Sequence, residues 1–135
     1  MGHTSSWTHH VTLPGEALSV LRARRFVCFH LAEHRLLYLL EDVRLVTSEL
    51  AANAVRHAQT SFTVTLQQIN KAHPDNGYVL LSVHDGSPSP PVHMTSGVLD
   101  TSGRGVSIID LVSQDWGVTH ETGGGKSVWA SFVLR

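Results

Sequence analysis

Cysteine occurs once in the 135 residues, as Cys28, so no internal disulfide can form. Charge is sparse as well. Ten Lys and Arg stand against 11 Asp and Glu, and the net charge of −1 gives no global electrostatic reason to bind nucleic acid. The apolar stretches fall far short of the roughly 20 residues that span a bilayer, so no membrane segment is expected. The N-terminus, MGHTSSWTHH, has no basic end ahead of an apolar run and does not read as a secretory signal. These absences together point to a cytoplasmic protein. The chain also has no P-loop and no Gly-x-Gly-x-x-Gly following a strand, which removes the two commonest phosphate-binding motifs. Without repeats or linkers, residues 1–135 are expected to form one domain.

What is present is a hydrophobic fraction of 41% with clear periodicity, the composition of a globular chain. WTHHVTL (7–13) reads as a short strand, and Pro14-Gly15-Glu16 opens a helix with Leu18, Leu21, Arg25, Cys28 and Leu31 at helical spacing, ending near His34. A second helix is expected from about Tyr38 to Ala58. SFTVTLQQIN (61–70) and YVLLSVH (78–84) alternate as an antiparallel hairpin around the turn residues His73-Pro74-Asp75-Asn76-Gly77. Pro88, Pro90 and Pro91 then keep the chain out of regular structure to about Ser102, a loop of lid-like length. Gly103-Arg104-Gly105 opens a short helix, VSIIDLVSQ, and WGVTHE and SVWASFVL flank a Gly123-Gly124-Gly125 turn as a late strand pair. The fold class expected is α+β, a two-layer sandwich of antiparallel sheet with helices on one face.

Within the second helix Val43, Val46, Leu50 and Ala54 form one apolar stripe at about 100° per residue, with Glu49 and Asn53 along its border. A carboxylate and a carboxamide one turn apart can accept a proton and offer a hard oxygen to Mg²⁺. At the end of an apolar strand, Asp85 can accept a hydrogen bond from an exocyclic amine, and Gly86 allows close approach to the backbone. Alone, that pair reads equally as a strand-ending turn. Gly103 and Gly105 sit where a helix N-terminus favours phosphate. GGGKS (123–127) is compatible with a plain hairpin turn.

In order along the chain, ELAANAVRHA, DGSP, GRG before a helix and GGGKSVW before the last strand resemble the N box and three glycine boxes of the GHKL (histidine kinase-like, Bergerat-fold) ATPase superfamily. The chain is most similar to the anti-sigma regulatory factor branch of serine/threonine kinases, of the actinobacterial type, from about residue 11 to 134. That resemblance implies ATP and Mg²⁺ as cofactors. It makes Glu49 the general base toward a substrate serine, Asn53 the Mg²⁺ ligand, Asp85 and Gly86 the adenine contacts, and Gly103, Arg104 and Gly105 the phosphate contacts. Ser127 stands near the position where relatives often carry Thr close to the adenine. The implied partners are a sigma factor and an anti-anti-sigma STAS-domain protein, in a family that often dimerises.

The first glycine box departs from Asp-x-Gly-x-Gly, since Ser87 stands where its first glycine would be, and Arg104 is the lid's one cation besides a protonated His93. Those departures favour an alternative, a nucleotide-binding module that sequesters a partner without phosphotransfer. His30-Leu31-Ala32-Glu33-His34 matches His-x-x-Glu-His, in which two histidines hold zinc and a Glu activates water. That reading needs a third ligand in a downstream helix, which the pattern does not pick out. Arg22, Arg24 and Arg25 read as a solvated helix face or a partner-binding patch. Trp7, Trp116 and Trp129 read as sheet-packing residues.

Overall fold

A computed structural model describes residues 4–57, 60–70, 77–86 and 104–135. Five strands, β1 (Thr4–Leu13), β2 (Phe62–Asn70), β3 (Tyr78–Asp85), β4 (Asp115–His120) and β5 (Lys126–Val133), form one sheet in the order β1-β2-β3-β5-β4. Every neighbouring pair is antiparallel. Three α-helices, α1 (Leu18–Glu33), α2 (Leu40–His57) and α3 (Arg104–Val112), pack on one face. The expected α+β sandwich is therefore the fold observed.

Alternation decides which face is covered. Phe62, Val64 and Leu66 of β2, Val79, Leu81 and Val83 of β3, and Val128, Ala130 and Phe132 of β5 point inward and are buried. The residues between them make polar links on the open face, such as the Thr12 and Thr63 hydroxyls at 2.9 Å. Trp129 lies on that face over Gly117, where an added Cβ would come within 2.7 Å of the indole. Trp7 and Trp116 pack against the core, as expected of them.

Helix α2 buries Val43, Val46, Leu50 and Ala54 as its periodicity requires. A 3₁₀ turn, Leu37–Leu39, precedes it, so the α-helix proper begins two residues later than expected. Helix α1 differs more. Its buried residues are Ser19, Ala23, Val27 and Leu31, whereas Leu18 and Arg25 are exposed. The stripe begins with the small Ser19 and Ala23, and packing of α1 against α2 sets the helix's rotation over the larger Leu18. The helix ends with Arg35 at φ +62°, Arg35 N–H donating to the Ala32 carbonyl at 3.1 Å and Leu36 N–H to the Leu31 carbonyl at 2.8 Å. This is a Schellman cap with arginine in the position that favours glycine. No helix among the described residues is long and apolar enough to cross a membrane.

Candidate functional site

Asn53 lies deeper than the border position its sequence spacing suggests, only 5% exposed between α2 and the sheet. Its Oδ1 is buried and accepts no hydrogen bond among the described residues. Leaving such an oxygen unpaired costs about 1–3 kcal/mol, so an amide kept there signals an absent partner. Glu49, one turn earlier, is half-buried and makes no hydrogen bond or ion pair among the described residues. A carboxylate without protein partners is available to take a proton.

Helix α2 lies over β3 and β5, whose ends provide the opposite wall. Asp85 is the last residue of β3 and pairs in register with Lys126, the first of β5. Lys126 Nζ donates to Asp85 Oδ1 at 3.0 Å and Oδ2 at 3.2 Å, with both side chains no more than 3% exposed. Lys126 was missed by sequence reasoning, yet a signal was there. It shares the inward parity of Val128, Ala130 and Phe132, and a lysine facing a core needs a buried anion. The preceding Gly125 has φ +89°, and a Cβ there would lie 2.7 Å from the Asp85 carbonyl oxygen and 3.2 Å from Gly86 Cα. The third glycine segment is thus packed onto the Asp-Gly junction. Around Gly86 itself an added Cβ would meet nothing within 4 Å among the described residues.

Ser127 is not brought to this group. Its side chain is on the open face of the sheet, with Oγ 3.1 Å from Nδ1 of His84. The side chain at the Asp85 carboxylate is that of Lys126.

Helix α3 starts at Arg104, which puts Arg104 and Gly105 in its first turn, where backbone N–H groups are free of intrahelical partners. That turn has no acidic residue to compete with an anion. Ile109 is fully buried and α3 packs against α2, which fixes this N-terminus relative to Glu49 and Asn53. Gly103, Ser87, His93 and the prolines at 88, 90 and 91 lie outside the described residues.

The amide oxygen and the carboxylate are thus on a helix that packs against α3, with its acid-free N-terminus, and against β3 and β5, which carry the Asp-Gly strand end and its lysine. The sequence profile described as a histidine kinase-like ATPase domain matches residues 10–132. The chain belongs to that family. No curated protein matches the chain significantly. A histidine kinase-like ATPase domain implies ATP binding, and the described residues fit such a ligand. The orphaned Asn53 Oδ1 suits a hard cation, and Gly86 keeps side-chain bulk away from the strand end.

The His-x-x-Glu-His residues belong elsewhere. His30, Glu33 and His34 end α1 beside β1, at the far edge of the sheet from β4. Burial and the neighbouring His30 hold the His9 imidazole below its ordinary range, and a hydrogen bond from His30 holds the Glu33 carboxyl below the usual carboxylate range. Burial pushes the Cys28 thiol up.

Proposed function

We propose that this ATPase-family protein is an ATP-dependent serine/threonine protein kinase and anti-sigma factor. It would phosphorylate a serine of an anti-anti-sigma STAS-domain protein and, in the alternative complex, sequester a sigma factor. The observation that carries the proposal is the pairing on α2 of an uncompensated amide oxygen at Asn53 with a free carboxylate at Glu49. The anti-sigma assignment rests on the order and spacing of the four sequence boxes.

Phosphoryl transfer asks little covalent chemistry of the protein and much positioning. Glu49 accepts the proton of the substrate serine hydroxyl as that oxygen forms its bond to phosphorus. Asn53 Oδ1 would hold Mg²⁺, which would supply positive charge to neutralise the phosphates. Asp85 accepts from the adenine amine, since a carboxylate offers about four acceptor sites. Gly103, Gly105 and the first-turn amides of α3 bind phosphate oxygens, and Arg104 adds positive charge there. ATP, when bound, supplies the phosphoryl group and leaves as ADP. The partner surface proposed is the outer face of α1, where Arg22 and Arg25 are exposed between Leu18 at 53% and Phe29 at 64% exposure.

The test is incorporation of phosphate from ATP into serine across a panel of STAS-domain proteins. Transfer is expected to one of them, and Glu49→Gln is expected to lower its rate by about 10²–10⁴-fold. Transfer at wild-type rate in that variant would remove Glu49 from the reaction. The Lys126–Asp85 pair favours a second reading, nucleotide-responsive sequestration without transfer, because it occupies part of the adenine-binding carboxylate. Nucleotide binding together with no transfer to any partner would select that reading.

A further inference from the structure

Along β1 the side chains of Trp7, His9, Val11 and Leu13 face the helices, while His10 is exposed on the other side. His9 therefore meets the last turn of α1. Its Nε2 is 2.9 Å from Nε2 of His34 and 3.6 Å from Oε1 of Glu33. The same carboxylate oxygen is 2.8 Å from Nδ1 of His30 and 3.6 Å from Nε2 of His34. We infer that His9, His30, Glu33 and His34 form a binding site for a zinc-class divalent metal ion that fastens the edge strand β1 to helix α1.

The spacing supports this. Four ligands at about 2.0–2.1 Å from a tetrahedral ion stand about 3.3 Å from one another. Four of the six separations among these donors, 2.8, 2.9, 3.6 and 3.6 Å, straddle that value; His9, His30 and Glu33 offer ligand atoms all within 4.8 Å of one another, and His34 adjoins that trio through His9 and Glu33. Hydrogen bonding splits the group into two pairs, His9 with His34 through their Nε2 atoms and His30 with Glu33. A cation at the centre serves all four donors at once. The rings of His9 and His30 are stacked at 3.7 Å and must splay to converge, and side-chain exposures of 28% and 17% leave them room to turn.

The surroundings hold the group in place. The Trp7 ring stacks on His34 at 4.0 Å with planes 4° apart, and its Nε1 donates to Gln68 Oε1 at 3.0 Å. The left-handed Arg35 terminates α1 immediately after His34, which fixes the direction from which that imidazole arrives. Three imidazoles and one carboxylate suit zinc, cobalt or nickel better than magnesium or calcium. Four protein donors also close the coordination shell, so Glu33 is a ligand here and the hydrolytic role that His-x-x-Glu-His suggests has no open position for water. The third histidine lies upstream in a strand, not downstream in a helix.

Untagged protein, freed of metal with EDTA, should be titrated with Co²⁺ and then Zn²⁺. The expected result is one equivalent of Co²⁺ with the intense visible band of a tetrahedral site, displaced by one equivalent of Zn²⁺ that raises Tm. His9→Ala and His34→Ala should each weaken Zn²⁺ binding by at least about tenfold, and His10→Ala should leave it unchanged. His9→Gln, checked for native circular dichroism in EDTA, separates ligand loss from misfolding. Absence of stoichiometric binding to the wild type, or equal Zn²⁺ affinity in wild type and folded His9→Gln, would overturn the assignment.

Discussion

Asp85 and Asn53 are both nearly excluded from solvent, at 3% and 5% exposure, yet their oxygens are treated in opposite ways. The Asp85 carboxylate is gripped by Lys126 through both oxygens, while Asn53 Oδ1 has no partner among the described residues. The strand wall of the site is internally compensated, so it folds as part of the core and is ready before ligand arrives. The helix wall carries an uncompensated group whose cost is recovered only by something that binds. A satisfied buried group reports on folding, and an unsatisfied one reports on a ligand.

The comparison is broken most severely at the strand wall. Asp85→Ala or Lys126→Met leaves one buried charge without its partner and is expected to cost about 3–5 kcal/mol in urea unfolding. The double variant Asp85→Leu/Lys126→Met should recover most of that loss, and simple additivity of the singles would show the pair to be uncoupled. It follows that Asp85→Ala alone is a poor control for nucleotide binding, because it harms the fold as well. Next in size, Gly125→Ala should cost about 2 kcal/mol, since a Cβ at φ +89° is strained and meets the Asp85 carbonyl. An unchanged urea midpoint would mean that the turn relaxes freely away from β3.

On the helix wall the sign reverses. Asn53→Leu removes the orphaned oxygen at similar volume and should stabilise the nucleotide-free protein by about 1 kcal/mol while abolishing the Mg²⁺ dependence of ATP binding. Destabilisation instead would show that the amide contributes to folding. Smallest of all, Glu49→Gln should change unfolding free energy by less than about 0.5 kcal/mol, as befits a half-buried side chain with no partner. A larger loss would place Glu49 in the structural framework and not in the chemistry.

The sequence made the sheet legible because its inward residues alternate with polar ones, and α2 legible because Val43, Val46, Leu50 and Ala54 recur at the helical period. Glu49, Asn53, Asp85 and Gly86 stood out for the same local reasons. Lys126 was hidden since its meaning depends on strand register: only the pairing of β3 with β5 sets it opposite Asp85. Ser127, one residue further on, faces the other side of the sheet, because one residue in a strand changes the face. Helix α1 was rotated from expectation because packing on α2 prefers the small Ser19 and Ala23 to Leu18, a tertiary choice that periodicity cannot contain. His9 lies 21 residues before His30, and only the fold of β1 against α1 brings them together.

The most direct test of the two-walled site is calorimetric titration of ATP into wild type and Asn53→Leu, each with and without Mg²⁺. Wild type should bind with Kd on the order of micromolar, about −8 kcal/mol, only when Mg²⁺ is present, and Asn53→Leu should show no Mg²⁺ enhancement. ATP binding by the variant with wild-type affinity and Mg²⁺ dependence, or none by the wild type, would contradict the account.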